Sequence, residues 1–258
     1  MQYKTHYRWP SVGHLSDFIN NVEQEAKKVC MPLKAITLEL EGTVKLNGVN
    51  VGIVCKVDEN DKPYIYYQNK EEVLNEDNDV HQFLNFIEEE KTKEFFLKAL
   101  WDETRRVRNT YKSKHGKLDA VVLHGEFVGK GVKEGTAVSD IKAFIAPFSL
   151  SYYFKDNHGK EHVVHNTDSY NLTRLYKSYL KDLRCYPVTL SSPVVRKVRL
   201  DEESLKNFEK EMNEMNKEAK DHCPFAKLFG KEGSGEGYIW KVKFHSVGIL
   251  GHLPYMFK

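Results

Sequence analysis

Apolar positions along the chain switch repeatedly between a helical and a strand period. After Pro10-Ser11, the residues Leu15, Phe18, Ile19 and Val22 recur at helical spacing and predict a helix running to Lys28. Leu38, Leu40, Val44 and Leu46 alternate with polar neighbours. Val49 to Val54 resumes that alternation after Asn47-Gly48, so this stretch predicts two strands joined by a tight Asn-Gly turn. Lys62 to Gln68 predicts a further strand. Residues 80–112 carry one long amphipathic pattern through Phe83, Phe86, Ile87, Phe95, Phe96, Leu100 and Val107, ending near Lys114-His-Gly116. Strand character returns at Ala120–His124, Ile141–Ile145, Phe148–Phe154 and Val194–Leu200. Leu205, Phe208, Met212, Met215 and Ala219 then form a single helical stripe, in which the two methionines read as core packing. A last strand is expected over Gly237 to His245. With no internal repeat, low-complexity segment or clean linker, the pattern predicts one mixed α+β domain spanning residues 1–258.

Composition narrows this little. The chain has 258 residues, 40% of them hydrophobic, which is enough for a sizeable core and excludes disordered or fibrous classes. Its 39 Lys+Arg balance 37 Asp+Glu to a formal charge of +2, so a polyanion site has to be a local patch. No apolar run approaches the roughly 20 residues of a membrane helix, and Met1 to Pro10 lacks the apolar stretch of a secretory signal. Cys30, Cys55, Cys185 and Cys223 lie far apart, a spacing that indicates neither a zinc module nor a disulfide framework. These features predict a soluble intracellular domain, expected to be cytoplasmic; they do not give its oligomeric state, for which a monomer is the working expectation.

Three short segments carry candidate chemistry. In Glu41-Gly-Thr-Val-Lys45-Leu-Asn-Gly-Val-Asn50, a lysine sits between two apolar strands and Gly48 lets the backbone approach a ligand. Partial burial or a nearby cation would turn that amine into a nucleophile. Taken alone, the residue reads rather as an edge-strand lysine that reaches to water. In Leu123-His-Gly-Glu126-Phe-Val-Gly-Lys-Gly131, a carboxylate follows a strand and precedes a glycine-rich turn, which suits a ribose or metal contact, although such turns are common. In Gly233-Ser-Gly-Glu236-Gly-Tyr-Ile-Trp240, a lone glutamate bracketed by glycines opens a strand. His124 and His245 read as packed or surface histidines. Arg105-Arg106-Val-Arg108 reads as a solvated helix face before it reads as a phosphate patch.

In that order, the three segments resemble the covalent nucleotidyltransferase superfamily of ATP-dependent ligases and mRNA-capping enzymes. The combination is most similar to RNA ligases of the phage nick-sealing and kinetoplastid RNA-editing type. The resemblance rests also on Phe148-Ser-Leu150 and Cys223-Pro-Phe-Ala-Lys227, and spans nearly the whole chain. It implies an α+β nucleotidyltransferase (ATP-grasp-like ligase) domain, with antiparallel sheets flanked by helices and a nucleotide cleft between the sheets. It implies that Lys45 attacks the α-phosphorus of ATP to form lysyl-AMP, with Mg²⁺ or Mn²⁺ as cofactor. Glu126 would contact the ribose and organise the metal, Glu236 would support the metal and phosphates, and Phe148 would stack on adenine, with Phe144 as the fallback. Asn50 would touch the phosphates or metal shell, and Lys70 stands where relatives carry an arginine facing the nucleotide. The RNA partner would bring a 5′-phosphate and a 3′-hydroxyl, in the setting of RNA repair.

Two departures shape the expectation. Asn47 replaces the usual acid of the lysine motif and can hydrogen-bond but not carry charge, which disfavours a DNA ligase. Lys258, 22 residues after Glu236, stands as the first lysine of the family's last Lys-x-Lys strand, and the given sequence ends there. Lys241-Val-Lys243 is the less favoured alternative for that motif. The expectation is therefore an adenylyltransferase domain whose C-terminal RNA-binding domain is absent or truncated. A capping guanylyltransferase, a DNA ligase and a catalytically weak RNA-binding relative remain as alternatives.

Overall fold

The structure is a computed structural model that describes residues 4–79, 81–111, 116–166, 168–243 and 256–258. Its strands are β1 (Thr37–Val44), β2 (Val49–Val57), β3 (Pro63–Asn69), β4 (Lys117–Val128), β5 (Phe144–Lys155), β6 (Glu161–Asn166), β7 (Val194–Arg199), β8 (Tyr238–Val242) and β9 (Met256–Phe257). Its helices are α1 (Leu15–Lys28), α2 (Phe83–Glu89), α3 (Lys93–Tyr111), α4 (Ser169–Leu175), α5 (Glu202–Asp221) and α6 (Pro224–Lys227). They form two antiparallel sheets flanked by helices, and the chain separates into two compact units, one around each sheet.

The first unit comprises residues 1–9, 48–134 and 142–187, and its sheet runs β3-β2-β4-β5-β6. Alternation splits its side chains cleanly. Val51, Ile53, Val121, Leu123 and Leu150 face a core built with Phe83, Phe86 and Ile87 of α2, Phe96 and Leu100 of α3, and Leu172 of α4. Val54, Tyr66, Ala120, Val122 and Tyr153 face the other way, against Tyr7. The segment carrying Tyr7 is strapped across that face. Its backbone N–H donates to Gln68 Oε1 at 2.9 Å, its carbonyl accepts from Gln68 Nε2 at 2.6 Å, and its hydroxyl donates to Asp119 at 2.5 Å.

The second unit comprises residues 10–47, 135–141 and 188–258, with sheet order β7-β1-β8-β9. One face packs Leu38, Leu40, Val198 and Trp240 against Phe18 and Val22 of α1 and Phe208 and Met212 of α5. The predicted methionine stripe is thus core: Met212 is buried and Met215 packs beside it. By alternation, the opposite face of β1 presents Glu39, Glu41, Thr43 and then Lys45.

Several sequence expectations are corrected. β1 and β2 are not a hairpin: β1 pairs with β7 and β8, whereas β2 pairs with β3 and β4. A two-residue primed turn needs positive φ at its centre, and neither Asn47 nor Gly48 has it. Gly48 serves close packing instead, because a Cβ there would lie 2.3 Å from Val128 Cγ1 and 2.5 Å from the Phe127 carbonyl oxygen. The long amphipathic pattern resolves into α2 and α3, interrupted where Lys91 takes φ 50°; its expected end at Lys114 lies outside the described residues. The first helix starts at Leu15 rather than after Ser11, where Asp17 accepts the His14 N–H at 3.2 Å. β5 is one continuous strand where two were expected. The final strand is described from Tyr238 to Val242, and His245 lies outside the described residues.

Candidate active site

Lys45 directly follows β1, and Glu236 stands two residues before β8. These strands are neighbours, with Val44 opposite Tyr238, so their adjoining ends bring together residues 191 apart in sequence. The Lys45 backbone N–H donates to the Gly237 carbonyl at 2.8 Å. Its Nζ donates to Glu236 Oε2 in a close ion pair, with the two side chains 34% and 27% exposed. This amine is neither free in solvent nor sealed in a core, as a nucleophile that must meet a substrate requires.

The loop that delivers Glu236 is held along its length. The Gly233 carbonyl accepts from Cys223 at 2.8 Å, the Ser234 carbonyl from Ala137 at 2.8 Å, and Gly235 donates to Ala219 at 3.0 Å. Tyr238 N–H donates to Asn216 Oδ1 at 2.8 Å. Gly237 has φ 120°, a conformation open to glycine and strained for other residues. The glycine bracket seen in sequence is therefore what lets the chain place a carboxylate beside the lysine.

Lys241 and Lys243, the alternative reading of the last motif, are committed elsewhere. Lys241 pairs with Glu41 at 2.9 Å, both side chains about 5% exposed or less, and Lys243 pairs with Glu39 at 2.6 Å. Lys258 is exposed just past β9, its N–H bonded to the Gly13 carbonyl at 3.2 Å. Phe257 is core and lies opposite Trp240, so alternation directs Lys258 to the sheet face that carries Lys45. Asn47 is half-buried in the chain segment that follows β1.

In the first unit, Glu126 is half-buried near the end of β4, opposite Asn50 of β2, so these two predicted residues stand on one sheet face. Gly129 and Gly131 follow with positive φ. Phe148 reaches the same face through a β-bulge: His124 pairs with Ser149 and Gly125 with Pro147, leaving Phe148 as the extra residue. It is half-buried, whereas the fallback Phe144 is fully buried, its ring 5.4 Å from that of Tyr186. Lys70 is exposed one residue past β3.

Trp9, to which no sequence signal pointed, lies against this group. Its indole sits 4.8 Å from His124, 5.3 Å from Phe148 and 4.9 Å from His165 between ring centroids. His124 is completely buried, and neither ring nitrogen has a hydrogen-bond partner among the described residues. Burial, with His165 and His6 nearby, pushes its pKa down to about 3, and burial takes His165 to about 4. His124 is a packed neutral imidazole rather than an acid-base group. The Arg105–Arg108 stretch is largely engaged: Arg106 bonds the buried Glu103 at 2.6 Å, Arg108 lies over Trp101 at 5.5 Å, and Arg105 lies 3.8 Å from Asp102.

Among the described residues, no three His, Cys, Asp or Glu side chains converge on a metal site. The donors present suit magnesium or manganese held chiefly by phosphates and water, which needs one or two carboxylates rather than a protein cage.

This fold has counterparts among solved structures of RNA ligases. Solved structures of an RNA ligase from Naegleria gruberi share it. A variant with ATP and manganese matches with a TM-score of 0.53 at 14% identity, covering 99% of this chain and 57% of that one. A second variant with ATP and manganese matches at 0.53 and 15% identity, and the ligase with pyrophosphate at 0.52 and 14%; each match covers 99% of this chain and 56% of the other. This chain therefore spans under three-fifths of those proteins' length, and at such identity the likeness is one of fold. No family model matches the chain, and no curated protein matches it. No helix among the described residues is long and apolar enough to cross a membrane.

Proposed function

We propose that this chain is the adenylyltransferase part of an ATP-dependent RNA ligase. The observation that carries the reading is the contact between Lys45 Nζ and Glu236 Oε2 at adjoining strand ends, formed by the two residues that the motifs single out. In the first step, Nζ attacks the α-phosphorus of ATP; the N–P bond forms as the bond to pyrophosphate breaks and pyrophosphate leaves with the electron pair. The amine must attack unprotonated, and Glu236 Oε2, its hydrogen-bond acceptor, is the group in place to receive the proton. A divalent metal entering with the nucleotide would neutralise phosphate charge, with Glu236 beside Lys45 as a proposed ligand. Glu126 would hold the ribose and Phe148 would stack on adenine. Asn47 and Asn50 supply neutral hydrogen bonds toward the phosphates, and Lys70 and Lys258 supply positive charge. The adenylate then passes to an RNA 5′-phosphate, and a 3′-hydroxyl displaces AMP to seal the strand.

Incubation with labelled ATP and magnesium, against labelled GTP, tests the chemistry. A covalent adduct is expected with ATP, and none with Lys45→Ala. An adduct formed only with GTP would make the chain a capping-type enzyme, and one that survives Lys45→Ala would remove the assignment. Nicked duplexes with RNA or all-DNA strands distinguish RNA from DNA sealing. RNA binding without any adduct would leave a non-catalytic relative.

A further inference from the structure

Helix α5 grips the chain on both sides of Glu236. Ala219 holds the residue before it, through the Gly235 N–H at 3.0 Å, and Asn216 holds the Tyr238 N–H at 2.8 Å. Residues 216 and 219 are three apart and so share one helix face. Of the backbone groups of this loop tied down at Gly233, Ser234, Gly235, Gly237 and Tyr238, only the last depends on a side chain. The fit is close: a Cβ on Gly237 would stand 2.7 Å from the same Asn216 oxygen. The Gly237 carbonyl, in turn, accepts the Lys45 N–H at 2.8 Å.

We infer that Asn216 is a positioning residue for the lysine–glutamate pair. Its side chain bonds the Tyr238 backbone and makes no hydrogen bond to the side chain of Lys45 or Glu236. By fixing the Gly237-Tyr238 peptide, it sets where Glu236 meets Lys45 Nζ, and through the Gly237 carbonyl it also fixes the backbone of Lys45. No sequence motif marks it, since it is one polar residue among many on a charged helix. The inference takes its catalytic meaning from the adenylyltransferase reading, but its geometric content is independent of it.

Two readouts test it. In single-turnover adduct formation with ATP and magnesium, Asn216→Ala is expected to lower the rate about 10- to 100-fold, the scale of a roughly 1 Å misplacement of a reacting group. KM for ATP should stay unchanged, because base and ribose contacts are untouched. Asn216→Asp keeps an acceptor oxygen and is expected to recover most of the rate. In the protein without nucleotide, labelling of Lys45 by an amine-reactive acylating reagent should be faster in Asn216→Ala, as the amine loses its fixed partner. Should the alanine variant not fold, Asn216→Ser serves, its hydroxyl being too short to reach the Tyr238 N–H. A wild-type protein that forms no adduct, while the variant still labels faster at Lys45, overturns the ligase reading and keeps the positioning role. Wild-type rate and wild-type labelling in the variant overturn the positioning role whatever the reaction.

Discussion

His124 should make the fold acid-sensitive well above the range where carboxylates titrate. Its ring is fully buried beside Trp9 and Phe148, with both nitrogens unpartnered among the described residues. Its folded pKa of about 3 lies below an unfolded value near 6.5. The group is a base with a depressed folded pKa, so the unfolded chain binds the proton first. The stability it permits at neutral pH is lost as pH falls through 6.5, and the loss continues until about pH 3. At about 1.4 kcal/mol per pH unit, lowering the pH from 7 to 5 costs about 2 kcal/mol through this residue alone. Urea unfolding of wild type and His124→Phe at pH 7, 6 and 5 isolates the effect, since His165 titrates in both proteins. The aromatic replacement suits a site bounded by rings. Wild type is expected to lose about 2 kcal/mol more than the variant over that range. Parallel losses would show that the imidazole is protonated inside the fold, and the burial argument would be wrong.

Two further substitutions probe the frame of the site. Lys241→Met removes the buried cation paired with Glu41 and should cost about 3–5 kcal/mol in urea unfolding, whereas adding Glu41→Leu should recover most of it; a double variant as weak as the single one would deny that the pair acts as a unit. Gly48→Ala forces a methyl to within 2.3 Å of Val128 Cγ1 and 2.5 Å of the Phe127 carbonyl oxygen. A loss of about 1–3 kcal/mol is expected by thermal melting, and an unchanged midpoint would mean that the β2–β4 contact is looser than described.

The sequence revealed elements more readily than their pairing. Strand and helix periods are local properties, so β2, β3, α1 and α5 were legible from spacing alone. Asn47-Gly48 misled because the dipeptide carries a real turn preference, and only the partners of β1 and β2 in separate sheets override it. Likewise, α2 and α3 share a continuous amphipathic pattern, and the break rests on one positive φ at Lys91 that no breaker residue announces. Within the candidate site, Lys45 and Glu236 stood out only through the combination of the three segments and the resemblance it carries, since Lys45 alone reads as an edge-strand lysine. The bulge that turns out Phe148, the Trp9 contact and the Asn216 brace did not stand out, because each arises from tertiary placement of a common residue type. The buried pairing of Lys241 with Glu41 was likewise invisible in the sequence.

The most direct measurement is the site of the adduct. Wild-type protein incubated with ATP and magnesium, digested under conditions that preserve a phosphoramidate and fragmented in a mass spectrometer, should carry one AMP on the Nζ of Lys45. AMP mapped to another side chain, or a protein that gains no AMP at all, would contradict the role assigned to the Lys45–Glu236 pair.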